Sequence, residues 1–403
     1  MKTALLPAVL FALTGSVAAA ESFIEKQDLF TVGDHEAYHL YHIPGIVVTA
    51  KGSVLAWCEA RKHAAGVSDW DDIRILLRRS TDEGVTWSTP VSIANVEGPK
   101  TKNPFALRMK NVDPNGVTYN NPVLIAGRDG TVHMLFCLEY MRCFYQRSAD
   151  DGLSWSSPVE ITEAFDAFKK DYDWKVLATG PNHSIQLRNG RLVVPVWLST
   201  GSGGNAHRPS VTATIYSDDE GKTWKAGNIA VPCTEEWINP NETVALELDD
   251  GRVMLNVRSE SKAHRRLVTI STDGATGWST PQFDDALLEP ICMSGIVRYH
   301  HGGQSLILFS NPHNLGREHG LADPGQSRDR KNLSVKISRD EGRTWPVNKL
   351  LEAGPSMYSD MAVTHSGTIL CFYGRAGAGQ GAAAFAGDRL TLARFNLAWL
   401  TSP

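Results

Sequence analysis

The chain has 403 residues, of which 42% are hydrophobic and 21% charged, with 40 Lys and Arg against 44 Asp and Glu. That is the make-up of an ordinary globular protein, not of a disordered or fibrous one. A net charge of −4 leaves no electrostatic footprint for nucleic acid, and no basic amphipathic run points to a membrane surface.

The first twenty residues, MKTALLPAVLFALTGSVAAA, carry Lys2, an apolar run and small residues ending in Ala20. This is the pattern of a secretory signal peptide, too short for a membrane span. Cleavage is expected after Ala20, which would leave residues 21–403 as a secreted or periplasmic domain. The stretch YHLYHIPGIVVTAKGSVLAWCEARK, residues 38–62, reads as two strands joined by a turn, with His42 just before Ile-Pro. The polar loop SDWDDI follows, then the strand pattern RILLRRS. Further on, TEAFDAFKKDYD is the one fair helix candidate. TGPNHSIQLRNGRLVVPVW holds Asn182 and His183, and NETVALELDDGRVMLNVRS holds Glu242 and Arg258. RDRKNLSVKIS holds Arg328 and Arg330, MYSDMAV holds Tyr358, and ILCFYGRAG places Gly374 in a strand. The last strand is expected in RLTLARFNLAWL, pairing with early strands to close the fold. The six cysteines match no zinc spacing and read as buried small hydrophobes, with room for one bridge.

A repeat runs through these segments. STDEGVTW begins at Ser80, SADDGLSW at Ser148, SDDEGKTW at Ser217 and SRDEGRTW at Ser338, with a worn copy, STDGATGW, at Ser271. The shared form S-x-D-x-G-x-[ST]-W suits a hairpin turn. The Asp caps backbone N–H groups, the Gly takes φ > 0, and the Trp folds back on apolar neighbours. A four-stranded unit repeated around a ring is a β-propeller. Length alone would suggest two or three domains, but the repeat predicts one all-β domain of six blades, 21–403.

This turn is the Asp box, and the chain resembles the sialidase (neuraminidase) family along essentially all of 21–403. YHIPG stands where that family has Tyr/Phe-Arg-Ile-Pro. SDWDDI is similar to its acid/base segment, NETVALELDDGRVMLNVRS to its Glu-to-Arg segment, RKNLSVKIS to its third-arginine segment, and MYSDMAV to its tyrosine segment. The resemblance implies an exo-acting, retaining glycosidase on terminal sialic acids or related 2-keto-3-deoxy sugar acids. Tyr358 would be the nucleophile, Glu242 its base and Asp69 the general acid, with Asp71 and Asp72 as neighbours competing for the last role. Arg258 and Arg330 would bind the substrate carboxylate, with Arg328 an alternative to Arg330. Asn182 and His183 would lie at the pocket rim.

The departure is His42, where the family has its first arginine. Gly374 stands where the family carries the Glu that braces that arginine. An imidazole is charged only in part at neutrality and offers no fork, so a weaker or pH-dependent grip is expected. Glu59 is placed to hydrogen-bond His42 and raise its proton affinity. The alternative is a catalytically silent, lectin-like propeller that binds acidic glycans. No metal or organic cofactor is implied, the partner is a sialoglycoconjugate or another acidic glycan, and a monomer is expected.

Overall fold

The computed structural model describes residues 21–35, 37–62, 69–108, 112, 114–317, 328–376 and 388–403; the expected leader, residues 1–20, lies outside them. After β1 (Ile24–Thr31), the strands β2 (Leu40–Val48), β3 (Val54–Arg61), β4 (Ile73–Ser80) and β5 (Val91–Ser92) form one antiparallel sheet in chain order. β6 (Tyr119–Ala126), β7 (Val132–Leu138), β8 (Arg142–Ser148) and β9 (Val159–Glu160) form the next. An interrupted strand follows in three pieces, β10 (Val176–Thr179), β11 (Asn182–His183) and β12 (Ile185–Gln186). β10 and β12 pair with β13 (Leu192–Ser199), while β11 crosses to run parallel to β6. β14 (Ser210–Ser217) and β15 (Lys225–Val231) complete that sheet.

The fourth sheet holds β16 (Thr243–Glu247), β17 (Val253–Val257), β18 (Arg265–Ser271) and β19 (Gln282–Leu288). The last is seven-stranded, with β20 (Gly295–His301), β21 (Gln304–Pro312), β22 (Lys331–Ser338), β23 (Val347–Val363), β24 (Ile369–Arg375), β25 (Arg389–Phe395) and β1. The 17-residue β23 pairs with β22 through its first half, up to Pro355, and with β24 through its second, from Ser356. β1 pairs with β25 from Ile24↔Phe395 to Thr31↔Arg389, so the two chain ends close the final sheet together, as the sequence predicted. The innermost strands touch in a ring, β2 to β6, β6 to β10, β12 to β16, β16 to β20, β20 to β23 and β23 back to β2. The fold is an all-β propeller.

Two expected elements differ. The helix candidate is a 3-10 segment, Thr162–Lys170, without a side-chain N-cap; Phe165 and Phe168, three apart, both face inward, which suits a three-residue turn. The last strand stops at Phe395. Asn396 then accepts from the Trp399 N–H at 2.9 Å and starts the helix α1 (Leu397–Thr401). All six cysteines are free thiols, five of them buried.

The core lies between neighbouring sheets. All eight residues of β3 are buried, because both of its faces meet another sheet. Leu55, Trp57, Ile75 and Leu77 pack on Leu124, Met134, Phe136 and Phe144. Each such side chain contributes about 1.5–3 kcal/mol on burial. Trp57 also explains the Gly of YHIPG, since a Cβ on Gly45 would fall 2.1 Å from the indole.

The Asp boxes are built as predicted. In the third copy, Ser217 Oγ donates to Asp219 Oδ1 (2.8 Å) and accepts from the Gly221 N–H (2.9 Å). Asp219 then takes the Thr223 N–H (2.8 Å) and hydroxyl (2.7 Å), and Gly221 sits at φ 82°. The first, second and fourth copies repeat this pattern, and the worn copy shortens the Ser-to-Gly step by one residue. The hydrogen bonds from Thr223 hold the Asp219 carboxyl down at about 2. A depressed carboxyl contributes stability that is complete above its unfolded value and fades as the pH falls through the folded one. Asp219→Ala should therefore lower the melting temperature by about 1–3 °C at pH 7, with a smaller loss near pH 2, as read by calorimetry at both values.

Candidate active site

Antiparallel strands put alternate connections at opposite ends of a sheet. Every Asp box joins the third and fourth strands of its sheet, so the boxes share one end. The other end carries the starts of the inner strands and the connections between second and third strands. A cavity of about 250 Å³ opens there. His42 and Ile43 from β2, Glu242 just before β16 and Tyr358 from β23 enter it from the inner strands. Asp69, Tyr140, His207, Arg258 and Arg330 enter it from the connections.

Local backbone explains the aim of several of these groups. β2 slips register against β3 between His42 and Gly45, with Ile43 at φ 55°; the bulge directly follows His42, with regular pairing on either side. The Arg258 N–H donates to the Glu242 carbonyl at 3.0 Å, setting the two residues side by side. Their side chains form an ion pair. Tyr358 is buried; its hydroxyl donates to Glu242 Oε2 at 2.6 Å and accepts from Arg258 Nη1 at 2.7 Å. Burial pushes the phenol's proton affinity well up, with Arg258 pulling the other way, so the resting tyrosine is neutral. Arg330 stands over the same ring, its guanidinium carbon 5.3 Å from the centroid, and donates to the Ile291 carbonyl at 2.7 Å. Arg328 does not reach the cavity.

Of the three candidate acids, Asp69 alone lines the cavity. Asp71 is buried, and Asp72 pairs with Lys62 and Arg74. The Asp69 side chain is 48% exposed, and its Oδ1 meets Arg61 Nη1 at 2.8 Å. Burial of the site pushes this carboxyl up, but Arg61 and then His207 prevail and hold it well below the usual carboxylate range.

Glu59 does not serve His42. The two are register partners across β2 and β3, but the Glu59 carboxylate accepts from Arg61 Nη2 (2.7 Å) and from the Asn121 N–H (2.7 Å). Alternation on β3 puts Glu59 and Arg61, two residues apart, on one face, which is the signal that would have predicted this pair. His42 instead lies against Tyr358, ring centroids 4.5 Å apart. Burial first, then Arg61 and Arg330, push its proton affinity well below that of a free imidazole, opposite to the expected direction. Gly374 does not reach the cavity either; a Cβ there would lie 3.1 Å from the Met357 Cβ and 3.6 Å from Leu390, so apolar groups fill the place of a counter-charge.

Asn182 and His183 are not at the rim. Asn182 donates to the carbonyls of Ser294 and Ser359, both at 2.9 Å. His183 Nδ1 lies 2.7 Å from Asp360 Oδ1, while the N–H groups of Ile46 and His183 converge on Asp360 Oδ2. Burial opposes a charge on His183, but Asp360 prevails and raises its proton affinity. β11 crosses to a neighbouring sheet, and these two residues tie the inner strands together and do not line this cavity.

Residues 64–371 match the BNR repeat-like domain family. The chain belongs to that family. It is 28% identical over 397 residues to a sialidase of Micromonospora viridifaciens, covering 94% of this chain and 55% of that protein. It is 29% identical over 354 residues to a sialidase of Bacteroides fragilis, covering 83% and 59% respectively. The chain thus spans somewhat over half the length of these curated relatives. Its fold superposes on the Hadza microbial sialidase Hz136 with a TM-score of 0.68 at 25% identity, covering 90% of this chain and 66% of that one. Among the described residues, no helix is long and apolar enough to cross a membrane.

Proposed function

We propose that this chain is a six-bladed, monomeric, secreted exo-glycosidase that releases terminal α-linked sialic acids, or related 2-keto-3-deoxy sugar acids, with retention. The blade count treats the seven-stranded sheet as two blades sharing β23, whose halves pair with different partners. The observation that carries the catalytic reading is the 2.6 Å bond from the Tyr358 hydroxyl to Glu242, beside Arg258 and Arg330 and on the same cavity as Asp69.

The chemistry follows from the substrate. A 2-keto sugar acid has a carboxylate on its anomeric carbon, which repels a carboxylate nucleophile. A neutral phenol that loses its proton as it attacks avoids that repulsion. Tyr358 attacks the anomeric carbon while its proton passes to Glu242, and Arg258 steadies the developing phenolate. The glycosidic bond breaks, and the leaving oxygen takes a proton from Asp69. Water then attacks the tyrosyl intermediate and gives a proton to Asp69, and Tyr358 recovers its own from Glu242. Arg258 and Arg330 would hold the substrate carboxylate.

A lectin-like propeller is the second reading, favoured by the missing first arginine at His42. Incubation with α-linked sialosides and ulosonic-acid glycosides separates the two. Release of the free sugar acid with retained anomeric configuration supports the enzyme. Saturable binding without release rejects it in favour of the lectin.

A further inference from the structure

Two cationic partners flank Asp69, Arg61 on one carboxylate oxygen and His207 near the other, and both favour its charged form. His207 lies in the connection between β13 and β14. Its ring is boxed by Tyr140 (centroids 4.9 Å apart), Trp197 (5.2 Å) and Trp70 (5.4 Å). Its Nδ1 is 4.0 Å from Asp69 Oδ2, while the other oxygen of the same carboxylate faces Arg61. Its Nε2 is shut off from solvent and has no hydrogen-bond partner among the described residues.

A general acid must carry a proton when substrate is bound, yet a fixed guanidinium at 2.8 Å favours the bare carboxylate. Arg61 is itself locked to Glu59 from the other side, so it cannot readily withdraw. Among the described residues, the imidazole that comes within 4.0 Å of the Asp69 carboxylate is that of His207. The charged and titratable groups around it are Asp69, Arg61 behind Asp69, Tyr140, Glu242 and Arg258 across the cavity, Arg208 with its partner Glu260, and His42 beyond Asp69. Burial first lowers the imidazole's proton affinity, and Asp69 and Glu242 oppose that. Neither His207 nor Asp69 therefore holds a proton well alone.

We propose that His207 and Asp69 share one proton, with His207 the positioning residue that keeps it within reach of the leaving oxygen. The pair takes up that proton from solvent as substrate binds. Asp69 delivers it to the leaving oxygen as the glycosidic bond breaks, which leaves a carboxylate beside a neutral imidazole. The attacking water returns one proton to Asp69, and the pair is restored. This rests on the reading of Asp69 as the general acid.

The test uses two ketosides of one sugar acid, a methyl ketoside that needs a proton on its leaving oxygen and a 4-nitrophenyl ketoside that does not. In His207→Phe, which fills the aromatic box without nitrogen, kcat on the methyl ketoside should fall about 10- to 100-fold, against less than about threefold on the nitrophenyl ketoside. The alkaline limb of the methyl-ketoside profile should move to lower pH. His207→Gln should show the same selectivity, and the melting temperature with added free sugar acid should show that both variants still fold and bind. Equal losses on both ketosides, or a change in KM alone, would overturn the shared proton. Asp69→Asn separates the two readings: if it discriminates between the ketosides and the His207 variants do not, only this inference falls. If Asp69→Asn does not discriminate, the acid assignment falls and takes this inference with it.

Discussion

Tyr358→Phe should abolish turnover while leaving the cavity intact. The substitution removes one oxygen, the atom that donates to Glu242 and accepts from Arg258. The ring remains, so the contacts with His42 and Arg330 are kept, as is the ion pair between Arg258 and Glu242. The expected result is a loss of at least about 10³-fold in kcat, equivalent to some 4 kcal/mol of barrier, with affinity for the free sugar acid changed by less than about threefold. Because the buried phenol is neutral at rest, its proton must leave as the bond to carbon forms, and Glu242 at 2.6 Å is the group placed to take it. Glu242→Gln should therefore lower kcat as well, by about 10²–10⁴-fold, the contribution of a general base. Stopped turnovers with each protein measure kcat, and calorimetric titration with the sugar acid measures binding. Retention of more than a tenth of wild-type kcat in Tyr358→Phe would sink the tyrosine-nucleophile reading.

The parts of this molecule that could be read from the chain are those encoded locally. The Asp box is complete within eight residues, and its Ser, Asp and Gly contacts follow from spacing alone, so the repeat predicted turn and propeller together. The hairpin of β2 and β3 was legible for the same reason, as two strand patterns joined by a turn. The site is different, because its groups come from separate sheets and meet only at the end away from the boxes. Glu242, Arg258, Arg330, Tyr358, Asp69 and His42 do meet there; resemblance suggested them, and strand periodicity did not. His207 and Arg208 lie in a connection that has no counterpart in the repeat, so no pattern marked them. Asn182 and His183 were misplaced because nothing local says that β11 leaves its own sheet to pair with β6. Glu59 was misassigned because its register partner His42 was weighed above Arg61, the neighbour two residues along the same face.

His42→Arg should trade stability for grip. In the free protein, burial and the guanidiniums of Arg61 and Arg330 keep the imidazole neutral through the neutral range. A depressed histidine contributes stability that is complete above about pH 6.5 and is lost as the pH falls through its lower folded value. A bound carboxylate offsets the arginines and raises the affinity of His42 for its proton, so binding takes up a proton and weakens as the pH rises. Wild-type KM for a carboxylate-bearing ketoside should therefore climb as the pH rises through the range in which bound His42 loses its proton, by at most tenfold per unit. A fixed guanidinium at position 42 removes that dependence and, through a charge-assisted bond of about 1.5–3 kcal/mol, lowers KM by about 10- to 100-fold at pH 7.5. The same charge finds no acid of its own. Glu59 is held by Arg61 and the Asn121 N–H, and Met357 and Leu390 fill the space at Gly374. The unliganded variant should lose about 2–4 kcal/mol and recover most of it when the sugar acid binds, giving a larger ligand-induced rise in melting temperature than wild type. Gly374→Glu in the same chain should relieve the penalty in part, since its Cβ must displace Met357 from 3.1 Å, and a double-mutant cycle measures the coupling. Flat, equal KM profiles for wild type and His42→Arg would show that position 42 does not face the carboxylate, and the substrate would then have to be oriented by Arg258 and Arg330 alone.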